Sequence, residues 1–265
     1  MINYIDSKGY IKNGLLISFL LIFILSGRAF TAYGEGFTLV VAPQLCFVQY
    51  GQPKMGGGPP SDELTVDSGW GIGGLMHGIH KRFIFEVFPF YAKVSDIKTI
   101  GDIAYADVYP FLRGNFYINA GFGLVTIFNR SEAVDTDIIS PFPLVGVKYK
   151  FGKYGSYINP WVGFMYDIVN VDFESPMAPD IKERDRSLLI GARFGLTPLP
   201  FFTTVTKFYY KRCFDDVDKK NTYTFTNRTN IYFSKVVGAT TYIDYRQFTD
   251  GAYMLMVVGG PAFCF

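Results

Sequence analysis

From Phe37 to the end of the chain, apolar residues recur at every second position, and the breaks between these runs alternate between short and long. A period of two sends successive side chains to opposite faces of an extended strand, and no helical periodicity competes with it. Twelve segments follow: 37 to 50, 67 to 79, 82 to 93, 102 to 112, 116 to 128, 139 to 151, 157 to 171, 188 to 196, 201 to 213, 222 to 233, 237 to 248 and 252 to 265. Most match the roughly 9 to 11 residues with which a tilted strand crosses a bilayer. Short breaks fall at 80–81, 113–115, 152–156, 197–200 and 234–236; long ones at 51–66, 94–101, 129–138, 172–187 and 214–221, with only the connection at 249–251 departing from the rhythm. Tight turns at one end and long polar loops at the other describe an all-β, transmembrane antiparallel up-and-down barrel with periplasmic turns and extracellular loops. The expected count is twelve strands, with ten or fourteen as the alternatives.

The two faces of the strands differ in kind. Phe116, Ile118, Ala120, Phe122, Leu124 and Phe128 form one face of the fifth segment, Ile158, Pro160, Val162, Phe164, Tyr166 and Ile168 one of the seventh, and Leu188, Ile190, Ala192, Phe194 and Leu196 one of the eighth. The opposite faces are mixed, with Tyr117 and Asn119, Lys207, Tyr209 and Lys211, or Thr224, Thr226, Arg228 and Asn230. An apolar outside around a polar inside is the reverse of a water-soluble barrel. Composition agrees: 18% of residues are charged against about a quarter in ordinary soluble domains, while 49% are hydrophobic, 18% aromatic, and the mean hydropathy is +0.18. No run of about 18 apolar residues occurs that would span as a helix. A soluble β-sandwich would bury its apolar faces together and would not need twelve outward stripes.

Ahead of the barrel, Lys8 and Lys12 precede an apolar stretch from Leu15 to Leu25, and small residues follow at Gly27, Ala29, Ala32 and Gly34. This is the order of a secretory signal peptide over residues 1–34, with cleavage expected somewhere in 29–34 and a mature barrel over 35–265. Its removal takes away three basic residues and one acid, leaving 22 Lys+Arg against 22 Asp+Glu. A neutral chain has no footprint for nucleic acid. Cys46, Cys213 and Cys264 make an odd count; Cys46 and Cys264 fall on first and last strands at different heights, so all three are expected to remain thiols.

The chain ends on Phe265, with Phe263, Val257 and Leu255 on the same face. From about residue 35 to its end it resembles the bacterial outer-membrane β-barrel proteins, whose last strand ends in an aromatic read by the barrel-assembly machinery. Pro261 and Gly259 stand where that class places larger apolar residues. The resemblance implies export to the outer membrane, outer-membrane lipids as surroundings, and Phe263 and Phe265 as the assembly signal.

Three functions remain in view. Twelve strands tilted near 40° leave a backbone radius of roughly 11 Å and a narrow lumen. The inward charges expected from the alternation are Arg82, Lys148, Lys150, Arg193, Lys207, Lys211, Arg228 and Arg246, against Glu86, Asp107, Asp167 and Asp244. Such a lining would favour small anions in a porin-like channel. Lys148, Arg193, Lys207, Lys211 and Arg228 are the residues expected to line the path. The same charges could instead pair and plug the lumen, making a closed structural or binding barrel that acts through its extracellular loops. Whether they meet Asp107, Asp167 and Asp244 within ion-pair reach separates the two. The third reading, a lipid hydrolase or protease, needs a His serving a Ser nucleophile or an Asp-activated water. The only histidines, His77 and His80, stand at a short turn without a His-x-Ser pairing, so no catalytic residue is expected. Nor do they make a metal site with Glu86, being expected on a surface turn. Asp215, Asp216 and Asp218 have oxygen-ligand chemistry but incomplete calcium-loop spacing, with Lys219 and Lys220 beside them. The Gly56 to Pro60 run lacks the helix and Lys of a phosphate cradle. No cofactor is expected, and a monomer is the default.

Overall fold

A computed structural model describes residues 38–53, 64–80, 82–174, 179–214 and 221–265. The expected signal segment, the Gly56–Pro60 run and the Asp215 to Lys220 cluster lie outside them. The described chain forms twelve strands: β1 (Thr38–Pro53), β2 (Leu64–His80), β3 (Phe83–Val94), β4 (Ile97–Arg113), β5 (Phe116–Arg130), β6 (Val134–Phe151), β7 (Ser156–Phe173), β8 (Ile181–Leu199), β9 (Phe202–Cys213), β10 (Thr222–Tyr232), β11 (Val237–Phe248) and β12 (Tyr253–Cys264). Each pairs antiparallel with its sequence neighbours, and β1 closes on β12 to complete the barrel. At the seam, Leu39 and Phe265 exchange backbone hydrogen bonds of 3.0 and 2.8 Å. Followed from Thr38 around the ladders, the register returns to β1 at the level of Gln52, a stagger of about 14 residues that tilts the strands by roughly 40°.

All twelve expected segments are strands, but the ladders run further than the apolar alternation. Residues 94–101, expected as a loop, are β3 and β4 continued around a two-residue turn in which Ser95 takes a φ of 53°. Most of 129–138 and of 172–187 is likewise paired strand. These extensions mix polar and apolar residues on both faces and are held by cross-strand side chains: Thr99 donates to Asn129 at 2.8 Å, and Arg130 meets Asp137 at 2.5 Å and Asp135 at 3.5 Å. Backbone pairing persists wherever carbonyls and amides can satisfy one another, whereas alternation in hydropathy exists only where one face meets an apolar medium.

The outer surface carries the apolar belt. Leu45, Trp70, Ile72, Phe122, Val145 and Ile190 are all more than half exposed, and Phe116, Phe151, Phe233 and Phe265 extend the belt toward the end that holds both strand termini. This end is called the terminal end below, and the opposite one the loop end. Ile190 lies at mid-height with 54% of its surface exposed. Ile190→Arg is expected to cost about 2 to 4 kcal/mol, the effect of a cation on the lipid face near a bilayer midplane. Urea unfolding of the refolded barrel in lipid vesicles measures it; an unchanged midpoint would mean that this face meets water.

The interior departs from the expected polar lining. Val40, Ala42, Cys46, Val48, Leu75, Phe88, Ala92, Val94, Tyr242, Met256, Val258 and Ala262 form a buried apolar mass along β1, β2, β3, β11 and β12. A second cluster joins Tyr105, Leu144, Trp161, Met165 and Leu189. These residues stand in the same alternation as the charges, so the inside combines a packed apolar core with a polar network, the two sharing β2, β3 and β11. Cys46 and Cys264 pair with Val258 and Val40 respectively, six positions apart on β1, and all three cysteines are free.

Candidate functional site: the barrel lumen

Two register irregularities decide which side chains reach the lumen. The β4–β5 ladder shifts between Val108 and Phe111, and the β8–β9 ladder between Leu196 and Leu199. Both lie toward the terminal end, beyond Asp107 and Arg193, so the inward phase of those residues is kept. Asp107 and Lys148 from β4 and β6, Asp167 and Arg193 from β7 and β8, and Arg228 and Asp244 from β10 and β11 are all buried inside the wall. Arg82 is the exception among the expected lining residues: it sits exposed in the β2–β3 turn, where its amide donates to His80 Nδ1 at 3.2 Å.

The charges form two layers. Nearer the terminal end, Arg193 Nη1 donates to Asp107 Oδ2 at 2.6 Å and another guanidinium nitrogen donates to the Tyr105 hydroxyl, while Asn119 Nδ2 donates to Asp107 Oδ1 at 3.1 Å. Gly121 stands opposite Asp107 in the ladder, and a Cβ there would collide with the carboxylate. Beside this group Glu86 accepts from Lys207 at 3.4 Å and from Arg228, whose other nitrogen lies 3.4 Å from His77 Nε2. Nearer the loop end, Lys211 pairs with Asp167, which also accepts from Ser140 at 2.5 Å, and Arg246 pairs with Asp244 at 3.0 Å.

Lys148 has no such partner. Among the described residues it donates to the Tyr109 hydroxyl at 3.3 Å and lies over the rings of Tyr109 and Tyr157, at 4.8 and 4.0 Å from their centroids. Lys150 lies 4.4 Å from the Tyr117 centroid. The aromatic faces offer these ammonium groups quadrupole attraction without neutralising them. Among the described residues, Arg193, Lys207 and Arg228 thus share Asp107 and Glu86 while Lys148 and Lys150 rest on tyrosines, whereas Lys211 and Arg246 are balanced by Asp167 and Asp244. The positive excess of the lumen is concentrated toward the terminal end.

The expected partners are therefore only partly those found. Arg193 meets Asp107 and Lys211 meets Asp167, but Lys207 and Arg228 converge on Glu86, and Asp244 is taken by Arg246 on its own strand. The histidines are not surface turn residues. His77 is inward and 6% exposed, opposite Glu86 in the ladder, and His80 is buried against Phe83, because β2 continues in register to its last residue. No cluster of three metal-ligating side chains forms among the described residues.

Above the charged layer a cup of about 480 Å³ opens toward the loop end, bounded by Tyr50, Ser140, Asp167, Tyr209, Lys211 and Arg246. Below it a void of only about 60 Å³ lies between Glu86, Tyr105, Trp161, Arg193, Lys207 and Tyr242. The lumen is therefore wide at one mouth and filled at its waist by paired charges and aromatic rings.

No protein-family model and no curated protein matches the chain in sequence. Solved structures do match in shape. The translocator domain of the autotransporter NalP from Neisseria meningitidis superposes with a TM-score of 0.50 at 8% identity, over 93% of this chain and 97% of that one. The transport unit of the autotransporter AIDA-I from Escherichia coli gives 0.51 at 8%, covering 88% and 92%, and the β domain of the Bordetella autotransporter BrkA 0.50 at 11%, covering 85% and 100%. With the closed twelve-strand register and the apolar belt, the chain has the fold of the bacterial outer-membrane β-barrels.

Proposed function

We propose that this chain is an outer-membrane barrel that acts as a narrow, porin-like channel for small anions and is not an enzyme. The observation that carries the reading is Lys148, a buried cation with aromatic neighbours and no acid, beside Lys150 over Tyr117 and three further cations that share two carboxylates. A cation held in a narrow space without a carboxylate lowers the cost for an anion to enter there and raises it for a cation. The paired waist then sets the bore, and the loop-end cup is the vestibule. Export through a cleaved signal peptide and capture of the outward Phe263 and Phe265 by the assembly machinery belong to the same reading.

The test is the zero-current potential across a planar bilayer holding a salt gradient. The unmodified barrel is expected to favour chloride over potassium, and Lys148→Glu with Lys150→Glu to abolish or reverse that preference. A potential unaffected by both substitutions would remove these lysines from the path. The second reading, a closed barrel that binds at its loop end, is favoured by one observation: every carboxylate of the charge layers is engaged by a cation.

A further inference from the structure

The β6–β7 ladder is interrupted beside the cup. Paired positions stop at Ile139 with Ile168 and resume at Leu144 with Gly163, so residues 140–143 face 164–167 without ladder pairing. Pro141 and Pro143 are the reason, since a proline has no N–H to give to a neighbouring strand. The β5–β6 ladder runs unbroken through both prolines, so the missing donors are those that would have pointed at β7. Another interruption, between β1 and β12 around Pro43 and Pro261, is backed on the inside by packed Ala42 and Ala262. The β6–β7 one is backed by the open cup, whose wall includes Ser140, Met165 and Asp167. One side-chain clasp crosses it: Ser140 donates to Asp167 Oδ1 at 2.5 Å, with Lys211 holding the other carboxylate oxygen.

The cup itself is suited to an apolar guest. Its cations are already paired with Asp167 and Asp244, and the rest of its wall is largely aromatic and aliphatic, including Val125, Ile127 and Tyr209. A volume of about 480 Å³ falls within the range of small-molecule pockets. The waist beneath it is closed to an uncharged body by ion pairs that such a body could not replace. We propose that the cup binds a small, uncharged, largely aromatic or aliphatic molecule, and that this molecule passes between cup and membrane sideways through the β6–β7 seam, with the Ser140–Asp167 hydrogen bond as its latch. The proposal rests on the membrane placement of the belt and not on anion passage.

The probe is 1-bromonaphthalene, an uncharged aromatic whose bromine quenches tryptophan only at short range. Trp161 lines the void just beneath the cup and packs against Tyr209 of the cup wall with ring centroids 5.7 Å apart, and Trp70→Phe leaves it as the only tryptophan of the chain. Saturable one-to-one quenching of Trp161 is expected in phosphatidylcholine vesicles. When protein-bearing vesicles are mixed with probe-bearing ones, Ser140→Ala is expected to speed the quenching. Pro141→Val with Pro143→Val, which restores two ladder donors, is expected to slow it about tenfold, the rate equivalent of one to two net hydrogen bonds. In the double proline variant, whose substituted residues lie outside the cup lining, entry and exit change together, so the dissociation constant stays put, which a variant merely altering the cup would not show. Absence of saturable quenching overturns the site; equal rates in both variants and the parent overturn the seam. Neither readout uses a current, so a silent channel leaves this result interpretable.

Discussion

Asp107→Asn is expected to be among the most destabilising single substitutions in the barrel, at about 3 to 5 kcal/mol, the cost of leaving one member of a buried ion pair behind. Asp107 has no exposed surface, and Arg193 is 5% exposed with its guanidinium directed at Asp107 and Tyr105. The amide keeps the shape but removes the charge, so Arg193 stays buried without a carboxylate. Asn119 loses the anionic acceptor of its own hydrogen bond as well. Equilibrium unfolding of the refolded barrel in vesicles measures the loss. The double replacement Asp107→Leu with Arg193→Met is expected to recover most of it, because a buried pair is worth little against well-packed apolar groups. A loss of that size in Asp107→Asn without recovery in the double would place the energy in packing around Gly121 instead.

Glu86→Gln is expected to act on the path more than on the fold. Glu86 is the only carboxylate among the described residues that meets Lys207 and Arg228, and His77 faces the same guanidinium. Without it Lys207 and Arg228 are left repelling one another at the narrowest level, next to the void of about 60 Å³. Like charges in so small a space separate or draw in water and counterions. The expected result is a higher single-channel conductance and a stronger preference for anions, with a stability loss smaller than that of Asp107→Asn because Glu86 and Lys207 are more exposed than Asp107 and Arg193. Unchanged conductance in a folded Glu86→Gln barrel would mean that current does not pass this level.

The strand count, the closure and the apolar belt were legible because each depends on alternation, which survives in a single sequence wherever one face of a strand is apolar. The strand lengths were not: around Thr99, Asn129 and Asp137 polar and apolar residues mix on both faces, so nothing in hydropathy separates a paired extension from a loop. The inward placement of Arg193 and Lys211 followed from the same phase. Their partners did not, because partner choice across the lumen depends on stagger. The register brings Glu86 of β3 within reach of β9 and β10, a contact between residues more than a hundred positions apart that no local pattern encodes. His77 was misplaced for a related reason, as a short turn two residues downstream gave no sign that β2 holds its ladder to His80. The proline interruption between β6 and β7 was visible as Pro141 and Pro143, but only the unbroken β5–β6 ladder shows which neighbour lost the hydrogen bonds.

Single-channel recording of the refolded mature barrel in a planar bilayer tests the central claim most directly. Small, steady unitary currents are expected from the unmodified protein, carried mainly by the anion and enlarged in Glu86→Gln. Silence in both proteins, when each is folded and shows the heat-dependent shift in electrophoretic mobility of a closed barrel, would contradict the channel and leave the paired waist as a permanent plug.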